Sequence, residues 1–207
     1  MFQNRTDASQ KLAKELAHFE DQKDTLVVGV MASGGVIAHH LADLLNLKLC
    51  LIMVSKIPAP KNSELAIGAI AEDVVILDRE MIQSQNISID YLDREVARIG
   101  QELKIRKERF EKTLKKCAFR GMRLIVVTDG MATGSTMMAA LEYLKRVKTK
   151  KIIVTSPLAS TEALDRFRGS VDDIVCLKKV DDLIHVSDHY HEFPPVKDEE
   201  LIRLLKK

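Results

Sequence analysis

The stretch 124–136 constrains this chain most: four apolar residues, Leu124, Ile125, Val126 and Val127, run through Thr128 into Asp129 and then into a glycine- and hydroxyl-rich turn. An unbroken apolar run of this length predicts a strand covered on both faces, the condition of a parallel sheet between helix layers. Met137, Met138, Ala139, Ala140, Leu141, Tyr143 and Leu144 follow at once and predict a helix packed on that strand. The turn between them, Asp129-Gly130-Met131-Ala132-Thr133-Gly134-Ser135-Thr136, suits a phosphate. Gly134 lets the backbone approach an anion, Thr133, Ser135 and Thr136 supply hydroxyls, and the helix start presents unpaired N–H groups. Asp129 would repel an anion, so it points to sugar hydroxyls or a metal-bound substrate, with Mg2+ as the implied ion. A Walker-type loop needs lysine where Ser135 stands, and no G-x-G-x-x-G is present.

The same rhythm recurs along the chain. Apolar runs at 25–31, 48–55, 124–128, 151–156 and 173–177 predict strands. Helix patterns lie at 8–19, 36–45, from 135 to Leu144, and at 161–167. Alternation of this kind predicts an α/β fold with a mainly parallel central sheet and helices on both faces. The loops after Met31, Ser55, Thr128 and Ser156 are then expected to share the rim at the strand ends, where such sheets bind ligands. Pro58 and Pro60 interrupt 56–63, and 64–78 reads as a pair of short strands. A long helix pattern covers 88–117, with Leu92, Val96, Ile99, Leu103, Phe110 and Leu114 on one stripe that packs within the chain or across a homodimer. Asp198 is the expected N-cap of a short last helix.

Composition excludes several classes. With 46% hydrophobic and 30% charged residues and charges breaking every apolar run, no membrane-spanning helix is expected. The start of the chain does not read as a signal peptide. Cys50, Cys117 and Cys176 are odd in number and far apart, which predicts reduced thiols and a cytoplasmic protein. A net charge of +2 makes no general case for nucleic acid, although the basic region 104–123 leaves RNA or a protein partner open.

The turn at Asp129 to Thr136 resembles the 5-phosphoribosyl 1-diphosphate (PRPP) loop of the type I phosphoribosyltransferases, two acids followed by a short apolar step and Ala-Thr-Gly-x-Thr. The chain is most similar to an uncharacterised subgroup of predicted phosphoribosyltransferases, over about residues 12 to 205. That subgroup carries Pro-Arg-Gly-Gly where this chain has Ala32-Ser33-Gly34-Gly35, and Pro-Glu-Leu-Ala-Ile-Gly-Ala where it has Ser63-Glu64-Leu65-Ala66-Ile67-Gly68-Ala69. Thr128 replaces the first of the two acids, and Ala132 stands where hypoxanthine-guanine enzymes place a carboxylate. The resemblance implies a single phosphoribosyltransferase-like domain over 1–207, with an insertion at about 56–118 and a C-terminal hood segment at about 178–207.

It also implies a substrate site. Thr133, Gly134, Ser135 and Thr136, with Gly130, Met131 and Ala132 in the same loop, hold the 5'-phosphate. Ser33, Gly34, Gly35 and Lys56 hold the diphosphate, with Glu64 to anchor Lys56 or to bind the metal-bound substrate. Asp129 takes the ribose and a hydrated Mg2+ and is the best catalytic candidate, while Tyr190 and Phe193 belong to a hood over the base, as rings that stack on it or as ordinary buried core aromatics. Substitution of the usual residues at Ser33 and Thr128 opens a second reading, a non-catalytic nucleotide-sensing regulator using the 104–123 surface. His185, His189 and His191 lie near Asp181, Asp182 and Asp188, but this spacing lacks the fixed geometry of a helical metal pair.

Overall fold

In chain order the elements are α1 (Arg5–Glu15), β1 (Thr25–Val30), α2 (Ser33–Leu44), β2 (Lys48–Ile52), β3 (Val54–Ala59), β4 (Asn62–Ala71), β5 (Val74–Leu77), α3 (Arg79–Ser84) and α4 (Ile89–Glu111). They continue with β6 (Arg123–Val127), α5 (Ser135–Arg146), β7 (Lys151–Ser160), α6 (Thr161–Phe167), β8 (Asp173–Val180) and α7 (Asp198–Leu204). The structure is a computed structural model that describes residues 1–60, 62–114 and 117–206, with only the backbone for Ser63 and Glu64. Five strands form a parallel sheet in the order β2-β1-β6-β7-β8.

Successive side chains on these strands leave opposite faces, so each apolar run feeds two cores. Val28, Cys50, Val126 and Val154 are buried beneath Met137, Leu141 and Leu144 of α5 and Phe167 of α6. Val27, Ile125, Val127 and Ile153 are buried on the other side beneath Leu12 of α1 and Ile37 and Leu41 of α2. Both faces are covered, as the unbroken apolar runs required.

The strand order also explains where a ligand fits. From β1 the chain moves outward to β2, whereas from the adjacent β6 it moves the other way to β7. The connections at the ends of β1 and β6 therefore diverge and leave a crevice between them.

Residues 54–77 form a second sheet, antiparallel, in the order β3-β4-β5. The sequence predicted two short strands from 64 and a break at the prolines. Instead β3 runs through Pro58, because it is an edge strand and the register shifts at Ile57/Pro58, where a missing N–H costs no ladder bond. Likewise β7 runs past Pro157 to Ser160, and Leu158 to Ser160 pair with Lys178 to Val180.

Helix α4 is held at its start by the Ser88 hydroxyl, which accepts from the Tyr91 N–H at 3.3 Å. Its buried stripe of Leu92, Ile99, Leu103 and Phe110 packs against Ile57, Ile67 and Ile70 of the antiparallel sheet. The stripe is thus used within the chain. Helix α4 ends at Glu111, so Leu114 lies beyond it. At the C-terminus Lys197, not Asp198, is the N-cap of α7. The Asp198 carboxylate instead accepts from Arg106 Nε at 2.8 and 3.0 Å, a charged partner that outcompetes the helix's own N–H groups.

The expectation of reduced thiols fails at two cysteines. Cys50 on β2 and Cys117 form a disulfide, and Cys176 is free. Sequence spacing gave no sign of it because 67 residues separate the pair and only the return of the chain after α4 to the sheet edge brings them together. Among the described residues no helix is long and apolar enough to cross a membrane. Alkylation of the unfolded, non-reduced chain is expected to label one thiol, Cys176, and full reduction to lower stability by about 2–4 kcal/mol in denaturant melts. Three labelled thiols before reduction would remove the bond.

Candidate functional site

A cavity of about 590 Å³ opens over the crevice at the ends of β1 and β6. Its walls come from four places: Met31 and Ser33 after β1, Ser55 and Lys56 on β3, Thr128 to Thr136 after β6, and Ile184 to Val186 with Phe193 from the C-terminal segment. Three of the four rim loops expected from the sequence meet here. The loop after Ser156 contributes indirectly: the Met131 N–H donates to the Leu158 carbonyl at 3.0 Å, and the Ser160 hydroxyl donates to the Ala132 carbonyl at 2.6 Å.

The turn after β6 is shaped by its glycines. Gly134 is the N-cap of α5 with φ 74°, and a Cβ there would lie 2.8 Å from Phe167. Gly134 has no side chain to cap α5, the Thr133 hydroxyl accepts from the Ser135 N–H at 3.4 Å, and among the described residues the Thr136 and Met137 N–H groups have no backbone acceptor. The Thr133 and Ser135 hydroxyls lie 3.1 Å apart. Two free N–H groups, the positive helix end and three hydroxyls are thereby gathered on one wall, the donor set of an anion site.

The loop after β1 differs from its expected form. Ser33 lines the cavity, but Gly34 and Gly35 are buried away from it. A Cβ on Gly34 would lie 2.7 Å from the Val127 carbonyl oxygen and one on Gly35 2.8 Å from Leu201, so these glycines let α2 approach β6 and α7. The Met31–Ala32 peptide is cis. Lys56 is exposed on the cavity wall and makes no ion pair among the described residues. The side chain of Glu64 lies outside the described residues.

Asp129 is the largest surprise. It is only 7% exposed, and its Oδ2 accepts from Arg5 Nε at 3.2 Å and from the other end of the same guanidinium at 3.1 Å. Arg5 is itself 6% exposed; it also donates to the Pro194 carbonyl at 2.8 Å and lies 3.8 Å over the Phe193 ring. Burial pushes the Asp129 carboxyl above its ordinary range, opposed by Arg5 and by the Ser33 hydroxyl. Sequence reading missed Arg5. Its one local signal was Asn4, whose side chain accepts from the Asp7 N–H at 3.1 Å and starts α1 earlier than the apolar periodicity did.

Tyr190, expected as part of a base platform, is 5% exposed and packs between Phe2 at 5.3 Å and Phe193 at 4.7 Å. Its hydroxyl donates to the Asp129 carbonyl at 2.7 Å, and burial raises its pKa. No ring face remains for a base, so the stacking reading is corrected and the buried core aromatic holds: Tyr190 braces the Asp129 loop. Phe193 does line the cavity, with Arg5 over its ring.

The donor set does not suit a resident magnesium ion. Among the described cavity residues Asp129 is the only carboxylate, and one of its oxygens is committed to Arg5. His185 lines the cavity while His189 Nδ1 lies 3.3 Å from Lys178 Nζ, and among the described residues no three His, Cys, Asp or Glu side chains are grouped to hold a metal. Four of the seven described basic residues of this region are paired: Arg106 and Arg109 with Asp198 and Glu199, Lys107 with Glu72, and Arg123 with Asp24. Lys115 and Lys116 lie outside the described residues.

Comparison with known proteins identifies the class. A phosphoribosyl transferase domain model matches residues 2–191, and the chain belongs to that family. More particularly, the chain is similar to the crystal structure of TT1426 from Thermus thermophilus, with 32% identity, a TM-score of 0.80 and coverage of 99% of this chain and 97% of that one. Two Mycobacterium tuberculosis proteins, from strains CDC 1551 and H37Rv and provisionally named phosphoribosyl transferases, are each 29% identical over this whole chain. The chain spans 47% of the length of these curated relatives. A purine phosphoribosyltransferase from Pyrococcus horikoshii Ot3 shares the fold at 16% identity and a TM-score of 0.51 over 93% of both chains.

Tyr190→Phe keeps the aromatic packing but leaves the buried Asp129 carbonyl without its donor, at an expected cost of about 1–3 kcal/mol in chemical denaturation. A variant as stable as the wild type would show that this bond does not brace the loop.

Proposed function

We propose that the protein binds PRPP or a nucleoside 5'-monophosphate in this cavity and transfers the phosphoribosyl group between diphosphate and a nitrogenous base. The observation that carries this is the turn after β6, where the Thr133, Ser135 and Thr136 side chains and the open start of α5 face one cavity large enough for a nucleotide. The 5'-phosphate takes that wall. Ser33 and Lys56 stand across the cavity to receive the diphosphate, and Asp129 Oδ1, the oxygen not held by Arg5, faces the ribose hydroxyls. Ile184, Val186 and the edge of Phe193 offer an apolar surface to the base.

Magnesium enters as part of the substrate, on its diphosphate. In transfer the bond from the ribose anomeric carbon to diphosphate oxygen breaks, a bond to a base nitrogen forms, and positive charge develops on the sugar between. The chain supplies position and charge rather than a nucleophile. We take residues 1–207 as one such domain with an insertion at about 56–118 and a hood at about 178–207. A cytoplasmic location follows from this substrate class, not from the cysteines. The nucleotide-sensing alternative uses the same cavity, but the pairing of Arg106 and Arg109 with α7 removes two charges from its RNA surface.

Calorimetry with PRPP and magnesium is expected to show saturable binding that Gly134→Val abolishes, since the left-handed φ and the Phe167 ring exclude a side chain there. Release of diphosphate with one of a panel of bases then separates transferase from sensor. No heat at millimolar PRPP would overturn the proposal.

A further inference from the structure

We propose that Arg5 is a positioning residue of the anion site, which sets the charge of its floor through Asp129. This rests on the cavity being a phosphate site. Among the described residues that line it, Lys56 and Asp129 are the only Lys, Arg, Asp or Glu side chains, so an uncompensated Asp129 would cancel the attraction of Lys56 for a polyanion. Arg5 does not line the cavity and therefore acts without touching the ligand.

Its guanidinium is fixed on three sides. Two N–H groups go to Asp129 Oδ2, a third to the Pro194 carbonyl, and the Phe193 ring lies against its plane. The neighbouring groups that could compete for Asp129 are neutral: the Ser33 hydroxyl and the Tyr190 hydroxyl, the latter spent on the Asp129 carbonyl. The positive charge is thus held in place, and the pair presents a nearly neutral floor with the second carboxylate oxygen not held by Arg5. The phosphate-binding turn keeps its acid and loses the repulsion.

Inorganic phosphate is the probe that isolates charge, since it has no sugar for Asp129 to hold. Calorimetry in magnesium-free buffer at mildly alkaline pH compares the wild type with Arg5→Met, Asp129→Asn and the double variant, each checked for folding by circular dichroism. Asp129→Asn is expected to bind phosphate about tenfold more tightly, Arg5→Met about tenfold more weakly, and the double variant to return to within about twofold of the wild type. Arg5→Lys, which keeps the charge but not the fork, is expected to lose stability while holding near wild-type phosphate affinity. If Arg5→Met fails to fold, Asp129→Asn and the double variant still decide.

A folded Arg5→Met that binds like the wild type, or an Asp129→Asn that binds no more tightly, overturns the role of Arg5 and leaves the phosphate reading intact. A wild type that does not bind phosphate at all removes both.

Discussion

Burying a carboxylate is costly unless a partner of opposite charge is buried with it, and this constraint organises the site. Asp129 follows the central strand β6 into the protein interior, where a fixed cation accompanies it. Arg5 comes from the first helix, far away in sequence, and its remaining donors and its flat face are taken up by Pro194 and Phe193. One ion pair therefore ties the start of the chain, the turn after β6 and the C-terminal segment to a single point. The Phe193 ring lies against the Arg5 guanidinium and stacks in turn with Tyr190 and, through it, with Phe2.

Around that point the cavity is assembled from parts that have little to do with each other locally. The divergence of connections at β1 and β6 leaves the crevice, and the antiparallel sheet brings Lys56 to its far wall. Helix α4 holds that sheet by its buried stripe, while its outward arginines pair with α7. The Cys50–Cys117 bond joins the sheet edge to the chain as it returns from α4. Packing of the antiparallel sheet is thus coupled to the placement of Lys56 on the cavity wall.

Much of this was legible in the residues. Unbroken apolar runs can be satisfied only by a sheet covered on both faces, and a strand, a carboxylate, a glycine and hydroxyls in that order mark a turn that gathers donors at a helix start. What failed was the partner of each polar group. Asp198 looked like a cap and became an ion-pair acceptor, Tyr190 looked like a platform and became a brace, and Cys50 and Cys117 looked like separate thiols. Pro58 looked like a strand breaker, yet it sits at an edge where no ladder bond is lost. In each case the local chemistry was read correctly, but the neighbour that uses it was not local.

The residues by themselves determined the alternation of elements, the two-faced burial of the sheet and the donor-rich turn after the third central strand, because periodicity and turn chemistry act over a few neighbouring residues. Tertiary structure alone decided that Arg5 meets Asp129, that Gly34 and Gly35 serve helix packing rather than the cavity wall, and that Tyr190 braces the Asp129 loop. Those outcomes depend on contacts across large sequence separations, where chain order sets no distance and only the packing of layers brings charge to charge.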